Sequence, residues 1–301
     1  MKNKWSDQLH SGAKFPMRIH LIGVAGSGMS GLASLLLSLG HRVSGSDKVS
    51  TKETDRLERV GLSFHCPHVP EVIEESELVI FSSAIKPGNV VYDASIEAGI
   101  PMLRRAEALV SIMSKKESIV IAGTHGKTTT SALAAKVLQS GELNPSHYVG
   151  AEVPVLGNNA HWSEEGDHFI AEGDESDGSL IQFDPDYAVL LNVEEDHLDH
   201  YTDGINGIRN VFNQFLDSAQ KKIIYCSDDL ESSSLCGSRS NVISYGWKSS
   251  DDFSAKVCEM REGSTDFDVF VYGKLMGRVT LGVPGKHNVL NGLGVIALAT
   301  E

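Results

Sequence analysis

The feature that most constrains this chain is a glycine-containing loop between a strand pattern and a helix pattern. The apolar run of residues 118–122 predicts a buried strand, and residues 131–138 have helical spacing. Between them lie two glycines, followed by Lys127 and Thr128. This layout presents backbone N–H groups and a helix N-terminus to a polyphosphate. We expect Lys127 to contact the phosphates and the Thr128 hydroxyl to bind Mg²⁺; the alternative is an ordinary β–α turn with a solvated lysine.

A second phosphate-type pattern lies near the N-terminus. Residues 17–23 predict a strand, and Gly26, Gly28 and Gly31 follow in G-x-G-x-x-G order as a helix pattern opens. Asp47 ends the next strand pattern, about 20 residues past the glycines, where a Rossmann unit has the acid that binds a ribose hydroxyl. Alone, the pattern also suits a nicotinamide enzyme, or glycines used only for close helix–strand packing.

Length and charge narrow the class of protein. A chain of 301 residues favours two domains, each long enough to bury its own core. The formal charge of −14 argues against a broad interface with nucleic acid or with an anionic membrane. Four cysteines without C-x-x-C spacing fit a reduced, cytoplasmic protein, and no apolar run reaches membrane-spanning length. The sequence leaves the oligomeric state open, monomer or dimer.

Strand and helix patterns alternate along most of the chain, which predicts an α/β fold with parallel sheets. We expect a loosely ordered leader (1–16), a Rossmann-like domain (17–113) and a P-loop-type α/β domain (114–301). Within the last, residues 241–283 predict a small sheet of short antiparallel strands. The chain stops inside a helix pattern, which we interpret as a truncation.

Two acidic clusters follow predicted strands of the second domain. Glu172–Asp177 comes directly after one strand, and Glu194–His200 follows the next. Carboxylates at the carboxyl edge of a parallel sheet face the crevice where ligands bind, and beside a triphosphate they can hold Mg²⁺. His197 could be a further metal ligand. The alternatives are a solvated acidic loop and plain surface histidines.

Polar residues near the C-terminus form a third segment that could bind a ligand. His287 and Asn288 precede an apolar helix pattern, and Asn291 lies three residues further on the same face. An amide side chain can read a purine edge or position a phosphate. The alternative is helix capping by Asn288.

Taken together, these motifs resemble the Mur ligases, from about residue 17 to the C-terminus. The resemblance implies that residues 17–113 bind a UDP-sugar, not a dinucleotide, and that residues 114–301 are most of the central ATP-binding domain. The motifs that carry it include Gly45-Ser46-Asp47, Ser82–Pro87, Arg105–Glu107, Asn192–His197 and His287–Asn291, besides both glycine loops and Glu172–Asp177.

The resemblance also assigns roles residue by residue. It places the UDP-sugar at Gly26, Ser27, Gly28, Met29, Ser30, Asp47, Ser82, Ser83, Ala84, Arg105 and Glu107. It places ATP at Gly123, Thr124, His125, Gly126, Lys127, Thr128, Thr129, His287, Asn288 and Asn291. The implied catalytic residues are Lys127, Glu172 and His197, with Mg²⁺ held by Thr128, Glu172 and His197 and with Glu175 as the alternative to Glu172.

The chemistry implied is ATP-driven amide formation, and the motifs are closest to the family member that uses L-alanine. The lactyl carboxylate of UDP-N-acetylmuramate becomes an acyl phosphate, which the amine of L-alanine attacks. The enzyme mainly positions the reactants and neutralises charge.

The sequence departs from the family in two ways. The family has a third, C-terminal domain and this sequence ends before it, so we expect binding of UDP-N-acetylmuramate, weak binding of ATP and poor ligation. Gly173 stands where relatives usually carry alanine, a change expected to be neutral. Three alternatives remain: a ligase that adds a preformed peptide to the same UDP-sugar, a non-catalytic nucleotide-binding module, and a nicotinamide oxidoreductase.

Overall fold

The structure, a computed structural model, describes residues 5–175, 178–195 and 204–301. The chain divides into two compact units. Unit 1 runs to Lys116 and includes Ser146–Phe169, while unit 2 comprises Glu117–Pro145 and Ile170–Glu301. No α-helix of the described residues combines the length and hydropathy needed to cross a bilayer.

The regular elements are numbered in chain order within the described residues. The helices are α1 (Ser6–His10), α2 (Ser27–Ser38), α3 (Lys52–Arg59), α4 (Val90–Glu97), α5 (Arg105–Met113), α6 (Lys127–Ser140), α7 (Ile205–Ser218), α8 (Leu230–Cys236) and α9 (Lys286–Thr300). The strands are β1 (Arg18–Ile22), β2 (Arg42–Ser46), β3 (Ser63–His65), β4 (Leu78–Phe81), β5 (Met102–Arg104), β6 (Glu117–Ala122), β7 (Ser146–Tyr148), β8 (Ala160–His161), β9 (His168–Glu172), β10 (Tyr187–Leu190), β11 (Lys222–Cys226), β12 (Val242–Gly246), β13 (Phe253–Arg261), β14 (Ser264–Val271) and β15 (Lys274–Leu281).

Unit 1 is built on a parallel sheet with strand order β3-β2-β1-β4-β5. The inner strands β1 and β4 are almost continuously buried, as expected where helices cover both faces of a parallel sheet. Local sequence signals set the helix ends. Thr51 accepts a hydrogen bond from the Thr54 N–H at the start of α3, and Asn89 caps α4 in the same way.

The segment before β1 differs from the loose leader expected from its polar composition. Residues 6–10 form α1, which packs against α5 and buries Leu9 completely. The His41 ring joins this segment to the sheet, because its Nε2 lies 2.8 Å from the Leu9 carbonyl oxygen and its Nδ1 accepts the Met17 N–H. These contacts make residues 5–16 an ordered part of unit 1.

The unit boundaries also differ from the expected division at residue 113/114. Unit 1 continues to Lys116. The hairpin formed by β7 and β8 also belongs to unit 1, although it follows the predicted phosphate-binding loop (residues 123–126) in the sequence. This hairpin packs on α2 through Tyr148 and Asn159. Such a contact spans more than a hundred residues of sequence, so no local pattern predicts it.

Unit 2 has a mixed sheet in which β15-β14-β13-β12-β11-β10-β6-β9 are neighbours in that order. The adjacent strands β6, β10, β11 and β12 pair in parallel. The fully buried side chains of the core include Phe212, Phe215, Tyr245 and Phe267. The predicted fold class, an α/β protein with a parallel-sheet unit and a second unit that includes an antiparallel part, is confirmed.

The prediction for residues 241–283 is wrong in two details. β12 pairs with β11 in parallel and so extends the central sheet, and only β13, β14 and β15 form an antiparallel meander. These three strands are also long, with nine, eight and eight residues. The residue pattern of a single strand does not specify whether its partner runs parallel or antiparallel. This is the physical reason why the direction of β12 was predicted wrongly.

Candidate functional site

The loop after β6 in unit 2 has the geometry of a phosphate-binding turn. Gly123 and Gly126 adopt φ values of +142° and +86°, which side chains with a Cβ rarely accept. Gly126 is the residue before α6, and no side chain caps this helix. Its first N–H groups therefore remain available to an anion, as the strand-turn-helix sequence predicts.

Asn192, just beyond the end of β10, fixes the shape of this loop. Its Oδ1 accepts the His125 N–H at 2.8 Å, and its Nδ2 donates to the His125 carbonyl oxygen at 3.0 Å. The Thr124 N–H donates to the Asn192 carbonyl oxygen at 3.0 Å, and the Glu194 N–H donates to the Thr124 hydroxyl. A Cβ on Gly123 would lie 2.9 Å from that same carbonyl oxygen, so only glycine allows the loop to approach this closely.

Lys127, the first residue of α6, forms a buried ion pair with Glu175. Its Nζ donates to both carboxylate oxygens, at 2.9 and 2.8 Å, and to the Gly123 carbonyl oxygen at 2.6 Å. The side chains of Lys127 and Glu175 are 18% and 4% exposed. Burial raises the pKa of Glu175, and the ammonium of Lys127 opposes this rise.

Thr128 and Glu172 supply oxygen atoms suited to a hard cation. The Thr128 hydroxyl donates to Glu172 Oε2 at 3.3 Å, and Glu172 is the last residue of β9. This pair fits Mg²⁺, which binds through one or two protein oxygens and completes its shell with phosphate oxygens and water. The described residues contain no cluster of three or more His, Cys, Asp or Glu side chains that could hold a metal. The remaining predicted ligand, His197, lies outside the described residues.

The residues predicted near the adenine nucleotide lie at the start of α9. Asn291 is buried, and its side-chain amide would lie 3.1 to 3.2 Å from a Cβ on Gly126, so it closes one side of the loop. Asn288 donates to the Pro284 carbonyl oxygen at 2.7 Å and thus stabilises the turn before the helix. It does not cap the helix N-terminus, where Gly285 precedes the first residue without a side-chain cap. His287 is exposed, as are His125 of the phosphate-binding loop and Thr129 in the first turn of α6.

Gly173 is more constrained than the sequence suggests. A Cβ at this position would lie 2.5 Å from Leu180 Cδ1 and 2.9 Å from Val120 Cγ1. The Gly173 N–H also donates to the Ile121 carbonyl oxygen at 2.9 Å, which fixes the backbone. The neutral exchange with alanine expected from the family pattern is therefore not supported, because neighbouring side chains would have to move.

In unit 1, the turn between β1 and α2 is held by the ends of two neighbouring strands. Asp47, beyond β2, accepts the Ala25 N–H through Oδ2 at 2.9 Å and the Lys48 N–H through Oδ1. Ser82 follows β4, and its Cβ would lie 3.4 Å from a Cβ on Gly23. In this structure, then, Asp47 supports the glycine turn directly with a carboxylate.

The predicted substrate residues on α2 contribute mainly backbone. Met29 and Ser30 are fully or almost fully buried, so their side chains face the interior of unit 1. A Cβ on Gly28 would overlap the Arg105 guanidinium and would lie 2.9 Å from the Tyr148 hydroxyl. Tyr148 donates to the Gly28 carbonyl oxygen at 2.8 Å, and Asn159 donates to that of Ser27 at 2.8 Å. The glycines thus serve close packing as well as access to the helix N-terminus, which Gly26 precedes.

The other predicted residues of unit 1 have distinct environments. Ser83 and Ala84 are exposed, and Ala84 lines a cavity of about 450 Å³ together with Lys48, His68 and Lys86. Glu107 instead stabilises α5, since its Oε2 accepts the N–H of the residue before that helix at 2.6 Å. An additional role for Glu107 in ligand binding remains a prediction.

Three residues with clear positions in these sites were not singled out from the sequence. Asn192 entered only as part of a family motif, although its place at the end of a predicted strand was a usable signal. Tyr148 and Asn159 gave no signal, because their contacts with α2 depend on the tertiary fold.

Comparison with known proteins identifies the family. A profile of the Mur ligase middle domain matches residues 121–299, and a profile of the Mur ligase family catalytic domain matches residues 18–117. The UDP-N-acetylmuramate–L-alanine ligase of Geobacter sulfurreducens is 38% identical over 287 residues, which are 94% of this chain and 62% of that protein. The chain thus spans less than two thirds of the length of this relative.

Solved structures agree with the sequence match. The UDP-N-acetylmuramate–alanine ligase of Thermotoga maritima superposes with a TM-score of 0.85 at 28% identity, over 94% of this chain and 65% of that chain. The UDP-N-acetylmuramate:L-alanyl-γ-D-glutamyl-meso-diaminopimelate ligase of Neisseria meningitides has the same TM-score at 26% identity, over 95% of this chain and 93% of that one. Because two profiles of the Mur ligase family match most of its residues, the chain belongs to that family.

Proposed function

We propose that this chain provides the UDP-sugar site and the ATP site of a ligase that joins L-alanine to the lactyl carboxylate of UDP-N-acetylmuramate. The observation that carries the proposal lies at the start of α6, after the loop that Asn192 fixes. There Lys127 and Thr128 follow the glycine turn, and the Thr128 hydroxyl donates to Glu172 at the end of β9. The choice of L-alanine rests on the Geobacter relative, whose name gives that substrate. A cytoplasmic location is part of the proposal.

The residues of unit 2 would act by positioning and neutralising charge. Bound ATP with Mg²⁺ supplies the phosphoryl group that converts the carboxylate into an acyl phosphate open to attack by an amine. The ammonium of Lys127 would offset phosphate charge, while the N–H groups of α6 would bind phosphate oxygens. The hydroxyl of Thr128 and the carboxylate of Glu172 would hold Mg²⁺, and Asn291 would border the nucleotide.

The residues of unit 1 would bind the UDP-sugar. The N-terminus of α2 begins after Gly26 without a side-chain cap, which leaves its N–H groups for the diphosphate. Asp47 holds the turn before that helix through the Ala25 N–H. Ser82, Ser83 and Ala84 follow the neighbouring strand and would extend the site along the sheet edge.

Calorimetric titration tests each half of the proposal. We expect this chain to bind UDP-N-acetylmuramate in preference to UDP-N-acetylglucosamine and NAD, and to bind ADP more tightly with Mg²⁺ than without it. Glu172→Gln should remove most of the Mg²⁺ effect, while Glu262→Gln, an exposed substitution on the β13–β14 turn, should retain it. Binding of NAD without the muramate would overturn the assignment of unit 1.

The Neisseria relative favours a second candidate, a ligase that adds a preformed peptide to the same UDP-sugar. The match covers 93% of that chain, compared with 65% of the Thermotoga and 62% of the Geobacter alanine ligase. Phosphate release measured with either L-alanine or L-alanyl-γ-D-glutamyl-meso-diaminopimelate, with mass analysis of the product, separates the two.

A further inference from the structure

The ion pair of Lys127 and Glu175 places a carboxylate where the phosphate-binding lysine would meet its ligand. Glu175 is only 3% exposed, and both its oxygens contact the Lys127 Nζ, at 2.9 and 2.8 Å. The same Nζ also donates to the Gly123 carbonyl oxygen at 2.6 Å and lies 3.3 Å from that of Thr124. The ammonium is thus surrounded by acceptor oxygens of the protein itself.

Glu175 and Glu172 each contact a different residue of α6. The Thr128 hydroxyl, the predicted Mg²⁺ ligand, donates to Glu172. Glu175 directs both oxygens to Lys127 instead. We propose that Glu175 is a positioning residue that acts as the internal counter-ion of Lys127 in the nucleotide-free protein, and that a nucleotide phosphate competes with it for the ammonium. This inference rests on the proposed function, namely that the loop binds a nucleotide.

Electrostatics give the pair two opposite effects. A buried ammonium without a counter-charge is costly, so Glu175 stabilises the loop. The same carboxylate repels an incoming phosphate, and the repulsion is strongest when no metal neutralises the phosphate. Two carbonyl oxygens also hold Lys127, so loss of the Glu175 charge should leave the ammonium in place. The affinity of the ammonium for a nucleotide phosphate without bound Mg²⁺ should then rise.

The decisive measurement is the affinity for ADP in the absence of Mg²⁺. Glu175→Gln keeps the shape of the side chain and removes its charge. We expect this variant to bind Mg²⁺-free ADP on the order of tenfold more tightly than the unmodified protein. Glu262→Gln, which makes the same charge change at an exposed turn, should alter the affinity by no more than about twofold.

A second measurement follows the stability of the nucleotide-free protein. Glu175→Gln should lower the urea concentration of half-unfolding, and the loss should be smaller in a Lys127→Met background, where no cation is left unpaired. A merely structural defect at Glu175 would lower stability and weaken ADP binding together. A rise in affinity combined with a loss of stability therefore identifies the counter-ion role.

The outcomes separate this inference from the function on which it rests. If the unmodified protein fails to bind ADP even with Mg²⁺, the nucleotide site itself is refuted, and the counter-ion role with it. If that protein binds ADP but Glu175→Gln binds Mg²⁺-free ADP equally or less tightly, only the counter-ion role is refuted. Loss of the Mg²⁺ effect in Glu175→Gln, as expected for Glu172→Gln, would make Glu175 a metal ligand and overturn the inference.

Discussion

Asn192 holds both peptide groups of His125, accepting the His125 N–H and donating to its carbonyl oxygen with a single side-chain amide. The shape of the phosphate-type loop thus depends on a residue beyond β10, about 70 positions away in the sequence. A side chain with one donor and one acceptor at this spacing can satisfy both groups, and an acid of the same shape cannot.

Asn192→Asp should therefore weaken nucleotide binding more than its small change in structure suggests. The substitution places an acceptor opposite the His125 carbonyl oxygen, so one hydrogen bond becomes a repulsion, at a cost of about 1–3 kcal/mol. We expect ADP affinity with Mg²⁺ to fall on the order of tenfold by calorimetry. Asn241→Asp, on the segment before β12, serves as a control, and equal affinities in both variants would contradict the role of Asn192.

Gly173→Ala should destabilise unit 2, even though relatives were expected to carry alanine here. The added methyl group meets Leu180 and Val120 at 2.5 and 2.9 Å, and overpacking of this kind costs about 1–3 kcal/mol. The free energy of unfolding in urea gives the loss directly. Gly263→Ala, where a Cβ would meet nothing within 4 Å, is the matched control.

A double variant identifies the cause of that loss. Combining Gly173→Ala with Leu180→Val removes the methyl group that lies nearest to the new Cβ. The two changes should cost less together than the sum of their separate costs. Strict additivity would show that Leu180 is not the obstacle.

Much of the fold and of both sites could be predicted because their signals are local. Glycines at the two turns, the Lys127–Thr128 pair and the carboxylates after β9 lie within a few residues of the strand or helix that positions them. Asn291 was also predicted near the nucleotide, and it lies beside Gly126.

The features that escaped prediction depend on distant parts of the chain. The burial of Leu9 in α1 requires α5, and the packing of Tyr148 against Gly28 requires the β7–β8 hairpin to join unit 1. The partner of Glu175 is likewise invisible in the sequence, where a run of acids indicates charge but not which acid meets Lys127. Local patterns therefore predicted the elements and the residue types, while tertiary contacts decided the pairing.

Buried histidines should make stability fall below neutral pH. His20 lies between the Ser44 and Ser46 hydroxyls, at 2.8 and 2.9 Å, and burial lowers its pKa to about 3. Burial also lowers the pKa of His147 to about 4. Because the unfolded chain takes up these protons near pH 6.5 and the folded one does not, the free energy of unfolding decreases as pH falls from about 6.5 towards 4.

Each such histidine contributes up to about 1.4 kcal/mol per pH unit in that range. Urea unfolding at pH 7 and at pH 5 measures the effect. His20→Gln should reduce the difference between the two pH values, even if the variant is less stable at pH 7. The same substitution at the exposed His287 should leave the difference unchanged, and a loss of pH dependence there instead would contradict the assignment to buried rings.

Tyr148→Phe tests whether the β7–β8 hairpin positions α2 for binding of UDP-N-acetylmuramate. The hydroxyl donates to the Gly28 carbonyl oxygen at 2.8 Å inside unit 1, and its loss leaves that carbonyl with one hydrogen bond fewer, at a cost of about 0.5–1.5 kcal/mol. If the bond sets the position of the α2 N-terminus, affinity for UDP-N-acetylmuramate should fall several-fold in calorimetry, whereas Tyr92→Phe on α4 should retain it. A Tyr148→Phe variant that loses stability but binds the muramate with unchanged affinity would show that the contact supports the fold and not the site.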